Sequence, residues 1–207
     1  VIGRAVRDES LEVLGEQEGW LRVVIPSGAV GYIYANLTGK PPSSVPAEVE
    51  AAVEGHLREG NLRYYREDFD GAIEEYRAAL DAWPESIDAH YNLASAYGDK
   101  GWYDEAINEY AEVLALKPDH ANSLFNLGWV YFRQGKYQDA AAQWERVAEM
   151  RPWFLDALYN LALALEMAGD PRSGETWQRF IQSAEQAGEL REAVEQVKGH
   201  LAAPSPQ

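Results

Sequence analysis

Two hydrophobic rhythms divide this chain. Up to about residue 40 the apolar residues come in short runs: "LEVL" (Leu11 to Leu14), "WLRVVI" (Trp20 to Ile25) and "AVGYIY" (Ala29 to Tyr34). They are separated by "GEQEG" and "PSG". Short β-branched and aromatic runs bounded by Gly and Pro predict strands of a small sheet or barrel. "GKPPSSVP" (Gly39 to Pro46) reads as a linker, because its three prolines discourage helix. From about residue 47 the period becomes helical.

The helical part repeats itself. Pro84, Pro118 and Pro152 stand 34 residues apart, as do Ala72, Ala106 and Ala140, and Tyr76, Tyr110 and Trp144. Phe69, Tyr103 and Tyr137 form another such set, and Leu93, Leu127 and Leu161 a further one. Several positions holding one register predict a repeat architecture. The leucines, with Tyr97 and Tyr131 four residues on, fall on one face of a first helix. Gly101, Gly135 and Gly169 suit a turn that needs positive φ past a helix end. Small alanines let two helices approach, the bulky aromatic fills the space against the next unit, and proline closes the second helix.

This pattern resembles the tetratricopeptide repeat over residues 47–187. The match is most specific in 87–120 and 121–154. The first unit, 53–86, keeps Gly60, Phe69, Ala72, Tyr76, Leu80 and Pro84. The fourth keeps "LYNLALALEMAG" but has Pro171 at the aromatic position; a one-residue deletion would place Ser173 and Trp177 at the small and bulky sites. "GELREAVEQVKGHL", with Leu190, Val194, Val197 and Leu201 on one face, predicts an amphipathic capping helix over 188–201. Residues 202–207 are expected to be a disordered tail. "EGWLRV" and "SGAVGYIYANLTG" make residues 1–40 similar to a bacterial SH3-like domain lacking its first strand, joined by a linker over 41–46. The expected fold is therefore mainly α: a right-handed α-α superhelix of three to four repeats with a capping helix, preceded by a small all-β SH3-like barrel.

Charge narrows the partners. The 207 residues carry 18 Lys/Arg against 34 Asp/Glu, a net of -16. Of this only -1 falls in residues 1–47 and -15 in 48–207. Such a surface repels phosphate backbones and anionic membranes, so no nucleic acid is expected as partner. The chain has no cysteine, which removes thiol nucleophiles, disulfides and thiolate metal sites. No apolar run approaches the ~20 residues of a membrane helix, so no direct membrane insertion is expected.

Candidate chemistry is sparse. His56 and His90 occupy equivalent places in successive units and read as packing residues, since a metal site needs three or four convergent ligands. His120 falls in a loop and His200 in the last helix. No phosphate loop, HExxH or GxSxG occurs, and "NLT" at Asn36 is too short a match to count. No enzyme activity, metal or cofactor is expected.

The remaining surface is the one that first helices line in the family. The resemblance implies an inward face of Asp88, Tyr91, Asn92, Ser95 and Asp99, then Asn122, Phe125, Asn126, Trp129 and Arg133, then Asp156, Tyr159, Asn160, Leu163 and Met167. Two ladders run along it, Asn92–Asn126–Asn160 and Tyr91–Phe125–Tyr159. Amides offer donors and acceptors to an extended peptide, and aromatics add contact at low entropic cost. Only Arg58 and Arg133 could clamp a terminal carboxylate, so a neutral, aromatic or basic segment suits the acidic groove better. The chain is accordingly read as a non-enzymatic adaptor or scaffold that docks partner proteins, with self-association as a further use of the exposed faces. The family likeness of residues 1–40 implies a bacterial periplasm or cell envelope. The alternative is a cell-envelope module in which those residues bind wall peptide or glycan and the repeats act as spacer.

Overall fold

The computed structural model describes residues 12–17, 20–24, 30–34, 46–188 and 190–202. Three strands, β1 (Glu12–Gln17), β2 (Trp20–Val24) and β3 (Val30–Tyr34), form an antiparallel meander in the order β1-β2-β3. Trp20 pairs with Gln17 on one side and Tyr34 on the other. β1 continues through "GEQ", which the sequence pattern assigned to a turn. The register slips between Val13 and Gly15, and this bulge absorbs one residue so that pairing resumes. The remainder of the expected SH3-like barrel lies outside the described residues.

Nine helices follow among the described residues: α1 (Ala47–Tyr65), α2 (Phe69–Ala82), α3 (Ile87–Lys100), α4 (Tyr103–Leu116), α5 (Ala121–Arg133), α6 (Tyr137–Met150), α7 (Leu155–Met167), α8 (Ser173–Ala187) and α9 (Arg191–Ala202). The fold is mainly α, built of helix–turn–helix repeats. Two compact units divide the chain, residues 1–116 and 117–207.

In the first unit α1 packs on α2 and α3, α2 on α3, and α3 on α4. Ala72, Ala79, Ala89, Ala96 and Ala106 have no exposed surface, so helix backbones meet closely there. Arg77 on α2 reaches across to α3, where its Nη2 donates to the Tyr97 hydroxyl at 2.7 Å. Asp68 and Ser86 cap α2 and α3 by accepting from the backbone N–H three residues on. Gly101 ends α3 in the left-handed region at φ 79°. Its counterpart one repeat earlier is Glu67, which takes φ 61° without glycine's freedom.

In the second unit α5 packs on α6, and each later helix on the one before. One core joins Trp144, Leu158, Leu161, Leu165, Trp177, Phe180, Val194 and Val197. Trp177 is buried as the bulky residue of the fourth pair, whereas Ser173 is half-buried at the start of α8. On α9 only Val194 and Val197 are buried; Leu190 and Leu201 are each 42% exposed. The helix includes Ala202, and residues 203–207 of the expected tail lie outside the described residues.

Candidate functional site

In each pair the second helix carries a buried aromatic whose polar atom bonds to the first helix. In residues 46–116 that aromatic is tyrosine. The Tyr76 hydroxyl donates to Asn61 Oδ1 at 2.8 Å, and Asn92 Nδ2 donates to the same oxygen at 3.2 Å. Burial pushes the Tyr76 phenol up to about 12, with Tyr65 adding to it, so it remains a donor at neutral pH. One repeat on, the Tyr110 hydroxyl lies 3.0 Å from Ser95 Oγ, which also donates to the Tyr91 carbonyl at 3.0 Å. Tyr91 meets the Tyr110 ring edge-on at 6.1 Å.

Of the face predicted here, Tyr91, Asn92 and Ser95 are half-buried in this internal network, while Asp88 and Asp99 are exposed. Asp99 accepts a hydrogen bond from the Tyr64 hydroxyl. Burial first, and then this carboxylate, hold the Tyr64 phenol well above its ordinary range. The sequence reading missed Asn61 and Tyr64. The signal for Asn61 was its spacing of fifteen residues from Tyr76, the same as Ser95 from Tyr110.

In residues 117–202 the aromatic is tryptophan, which has one donor and no hydroxyl. Trp144 Nε1 donates to the Phe125 carbonyl at 2.9 Å. Trp177 Nε1 donates to Glu166 Oε2 at 2.7 Å, and His200 Nε2 on α9 meets the other oxygen of that carboxylate at 2.6 Å. Gly128 makes room for the indole: a Cβ there would stand 2.6 Å from Trp144 Nε1. The positions that matched Asn61 and Ser95 are now Trp129 and Leu163, and neither is tied to the second helix through a hydroxyl.

Trp129 is 45% exposed, edge-on to Phe132 at 6.3 Å, with the Arg133 guanidinium 5.6 Å from its ring centre. Phe125 is half-buried between Trp144 at 6.4 Å and Phe154 at 5.1 Å. Tyr159 stands edge-on to Trp177 at 5.1 Å and Phe180 at 5.4 Å. Asn126, Asn160 and Leu163 are half-buried; Asn122, Arg133 and Asp156 are exposed, and Met167 is 51% exposed. Asn122 Oδ1 accepts from Arg151 Nη1 at 3.4 Å. The structure thus gathers the predicted residues into two faces, one per unit: a tied polar one and a freer aromatic one.

The histidines do different work from packing alone. His56 Nδ1 lies 2.9 Å from Glu75, and His90 Nδ1 lies 2.7 Å from Glu109, at equivalent places in successive repeats. His90 Nε2 also faces the Pro84 carbonyl at 2.9 Å. Burial pulls the His90 pKa down, but acceptors at both ring nitrogens outweigh it and raise it above the ordinary value. Among the described residues no three His, Asp or Glu converge as a metal site. None of the described helices is long and apolar enough to cross a membrane.

A family model for the tetratricopeptide repeat matches residues 57–121, 93–152 and 125–177. Among solved structures, MamA is similar with TM-score 0.62 at 24% identity, covering 66% of this chain and 80% of that one. The first TPR of Spaghetti (RPAP3), bound to the HSP90 peptide SRMEEVD, gives TM-score 0.57 at 22% identity, covering 62% of this chain and 100% of that one. An O-GlcNAc transferase mutant from Thermobaculum terrenum gives 0.60 at 22%, covering 69% of this chain and 27% of that one. At these identities the likeness is one of fold. No protein of curated function matches the sequence.

Proposed function

This chain belongs to the tetratricopeptide repeat family, and from that premise we propose that it is a non-enzymatic adaptor or scaffold that docks partner proteins and helps hold a multiprotein complex. The observation that carries this reading is Trp129, an indole 45% exposed on a first helix, where the preceding repeat has the internally bonded Ser95. With Met167 51% exposed on the next first helix, it gives this face apolar surface that a bound segment can cover. The docked element is an extended neutral, aromatic or basic segment on a first-helix face: Asp88, Tyr91, Asn92, Ser95 and Asp99 within residues 1–116, or Asn122, Phe125, Asn126, Trp129, Arg133, Asp156, Tyr159, Asn160 and Leu163 within residues 117–207. Residues 47–116 carry 17 Asp/Glu against 5 Lys/Arg, which favours a basic partner there and disfavours nucleic acid. The RPAP3 repeat with its HSP90 peptide is a precedent for the fold in such a role.

In this reading residues 1–40 are an SH3-like β domain, 41–46 a linker, 47–187 the repeats and 188–201 a cap, placed in the periplasm or cell envelope. The antiparallel meander supports the first of these. The test is affinity co-purification from the native cell with the tagged chain and with the double variant Asn126→Ala, Trp129→Ala. Partner proteins are expected with the former and a loss of at least about tenfold with the latter, the size of a hot-spot truncation. Full retention by the variant would move the contact elsewhere, and recovery of wall glycan or peptide alone would replace the scaffold reading.

A further inference from the structure

Resting on the docking reading above, we infer that the first-helix face of residues 117–202 takes a bulky apolar side chain, aromatic or long aliphatic, with a carboxylate two residues away in the same extended segment. The argument starts from the second-helix aromatic. Tyr76 and Tyr110 each occupy the polar side chain fifteen residues earlier, Asn61 and Ser95. Trp144 instead spends its one donor on the Phe125 carbonyl, and Trp177 spends its own on Glu166. The exchange of tyrosine for tryptophan releases the facing position of the first helix. The released positions are Trp129 and, one repeat on, Leu163, both apolar. Met167, the counterpart of Arg133, is 51% exposed on the same face of α7. An apolar surface left in water at released positions gains by burial under an apolar guest.

Arg133 fixes the second requirement. Its guanidinium lies 5.6 Å from the Trp129 ring centre and makes no ion pair among the described residues. Two other cations of this unit do have carboxylate partners, Arg172 with Asp170 and Glu145, and Lys198 with Glu185 and Glu195. A guest that covers Trp129 also strips water from Arg133, and a desolvated cation needs an acceptor. In an extended segment, side chains two residues apart share a side at about 6.8 Å, close to the separation of ring and guanidinium. For this unit the carboxylate replaces the basic preference of the docking reading, which rests on the acidity concentrated in residues 47–116.

The test is selection of random 12-residue peptides displayed on phage against the immobilised full chain. The inference expects enrichment of Phe, Tyr, Trp, Leu or Met two residues from Asp or Glu. Trp129→Ala should cut recovery of those peptides at least about tenfold, and Arg133→Gln should keep the apolar preference while erasing the acidic one. Both side chains are exposed, so neither variant threatens the fold, and circular dichroism melts check that. Enriched peptides whose recovery survives Trp129→Ala but falls on changing Tyr91 or Asn92 would overturn the inference and leave docking standing. No enrichment at all would overturn both.

Discussion

The same 34-residue frame is finished in two ways on either side of residue 116. Residues 46–116 are polar and acidic, with tyrosine hydroxyls, asparagines, histidines and carboxylates bonded across helices. Residues 117–202 carry tryptophan at the same slots and leucine where the histidines stood: His56 and His90 give way to Leu124 and Leu158, both buried. Their charge is nearly balanced, 9 Lys/Arg against 12 Asp/Glu in residues 117–207. The difference teaches that the repeat fixes where volume goes and leaves open which polar atoms need satisfying. Where they are satisfied internally, the first helix is left to offer a ligand chiefly its exposed carboxylates, as at Asp88 and Asp99.

The most forceful way to test this contrast is at the aromatic slot. Trp144 is 2% exposed, and Trp144→Ala should cost about 3–5 kcal/mol in denaturant unfolding, the range for a fully buried large aromatic. Tyr110→Phe keeps the ring and removes the hydroxyl that bonds Ser95, so about 0.5–1.5 kcal/mol is expected. If the two changes cost the same, packing and polar satisfaction are not divided between the units as described.

Glycines beneath those aromatics come next. A Cβ at Gly128 would stand 2.6 Å from Trp144, and one at Gly60 would stand 2.5 Å from Tyr76. Gly128→Ala and Gly60→Ala should each lose about 1–3 kcal/mol by overpacking, read as a shift of the denaturation midpoint. Similar losses would mark the slot as common to both units. A large inequality would mean that tryptophan demands a different frame from tyrosine.

Much of this was legible in the spacing and some was not. The glycines at 101, 135 and 169 do adopt positive φ, because their register sits one or two residues past each first helix. The contrast of Ser95 with Trp129 was visible as two letters, but its cause lay fifteen residues on, in the exchange of Tyr110 for Trp144. Asp99 read as a groove carboxylate, yet it accepts from Tyr64 on the preceding first helix, a contact that periodicity cannot foretell. His56 and His90 read as packing residues; the glutamates nineteen residues later that bond them stand on the neighbouring helix. Side-chain pairing across helices depends on rotamer and reach, and a linear pattern holds neither. Glu67 was passed over because nothing in a glutamate announces left-handed backbone.

Glu67 yields a smaller prediction of opposite sign. It holds φ 61° and is exposed at the turn where later repeats use glycine. Glu67→Gly should stabilise the first unit by about 1 kcal/mol, relieving the side-chain clash of that region less glycine's greater entropy when unfolded. A destabilised variant would show that the glutamate side chain repays its backbone strain.

The finest distinction between the units is in their response to pH. His90 has acceptors at both ring nitrogens, Glu109 and the Pro84 carbonyl, with Glu112 also near, and these raise its pKa above 6.5. A raised folded pKa means that the protonated ring contributes stability fully below the unfolded value, and that this contribution fades as pH rises through the folded one. His90→Leu gives the first unit the residue that the second has at Leu124. Denaturation midpoints from pH 5.5 upward should show the wild type losing ground against this variant as pH passes above about 6.5, an effect smaller than those above. A gap that stays constant with pH would mean that folding leaves the His90 pKa where it is in the unfolded chain, and that the two units differ in packing and charge but not in titration.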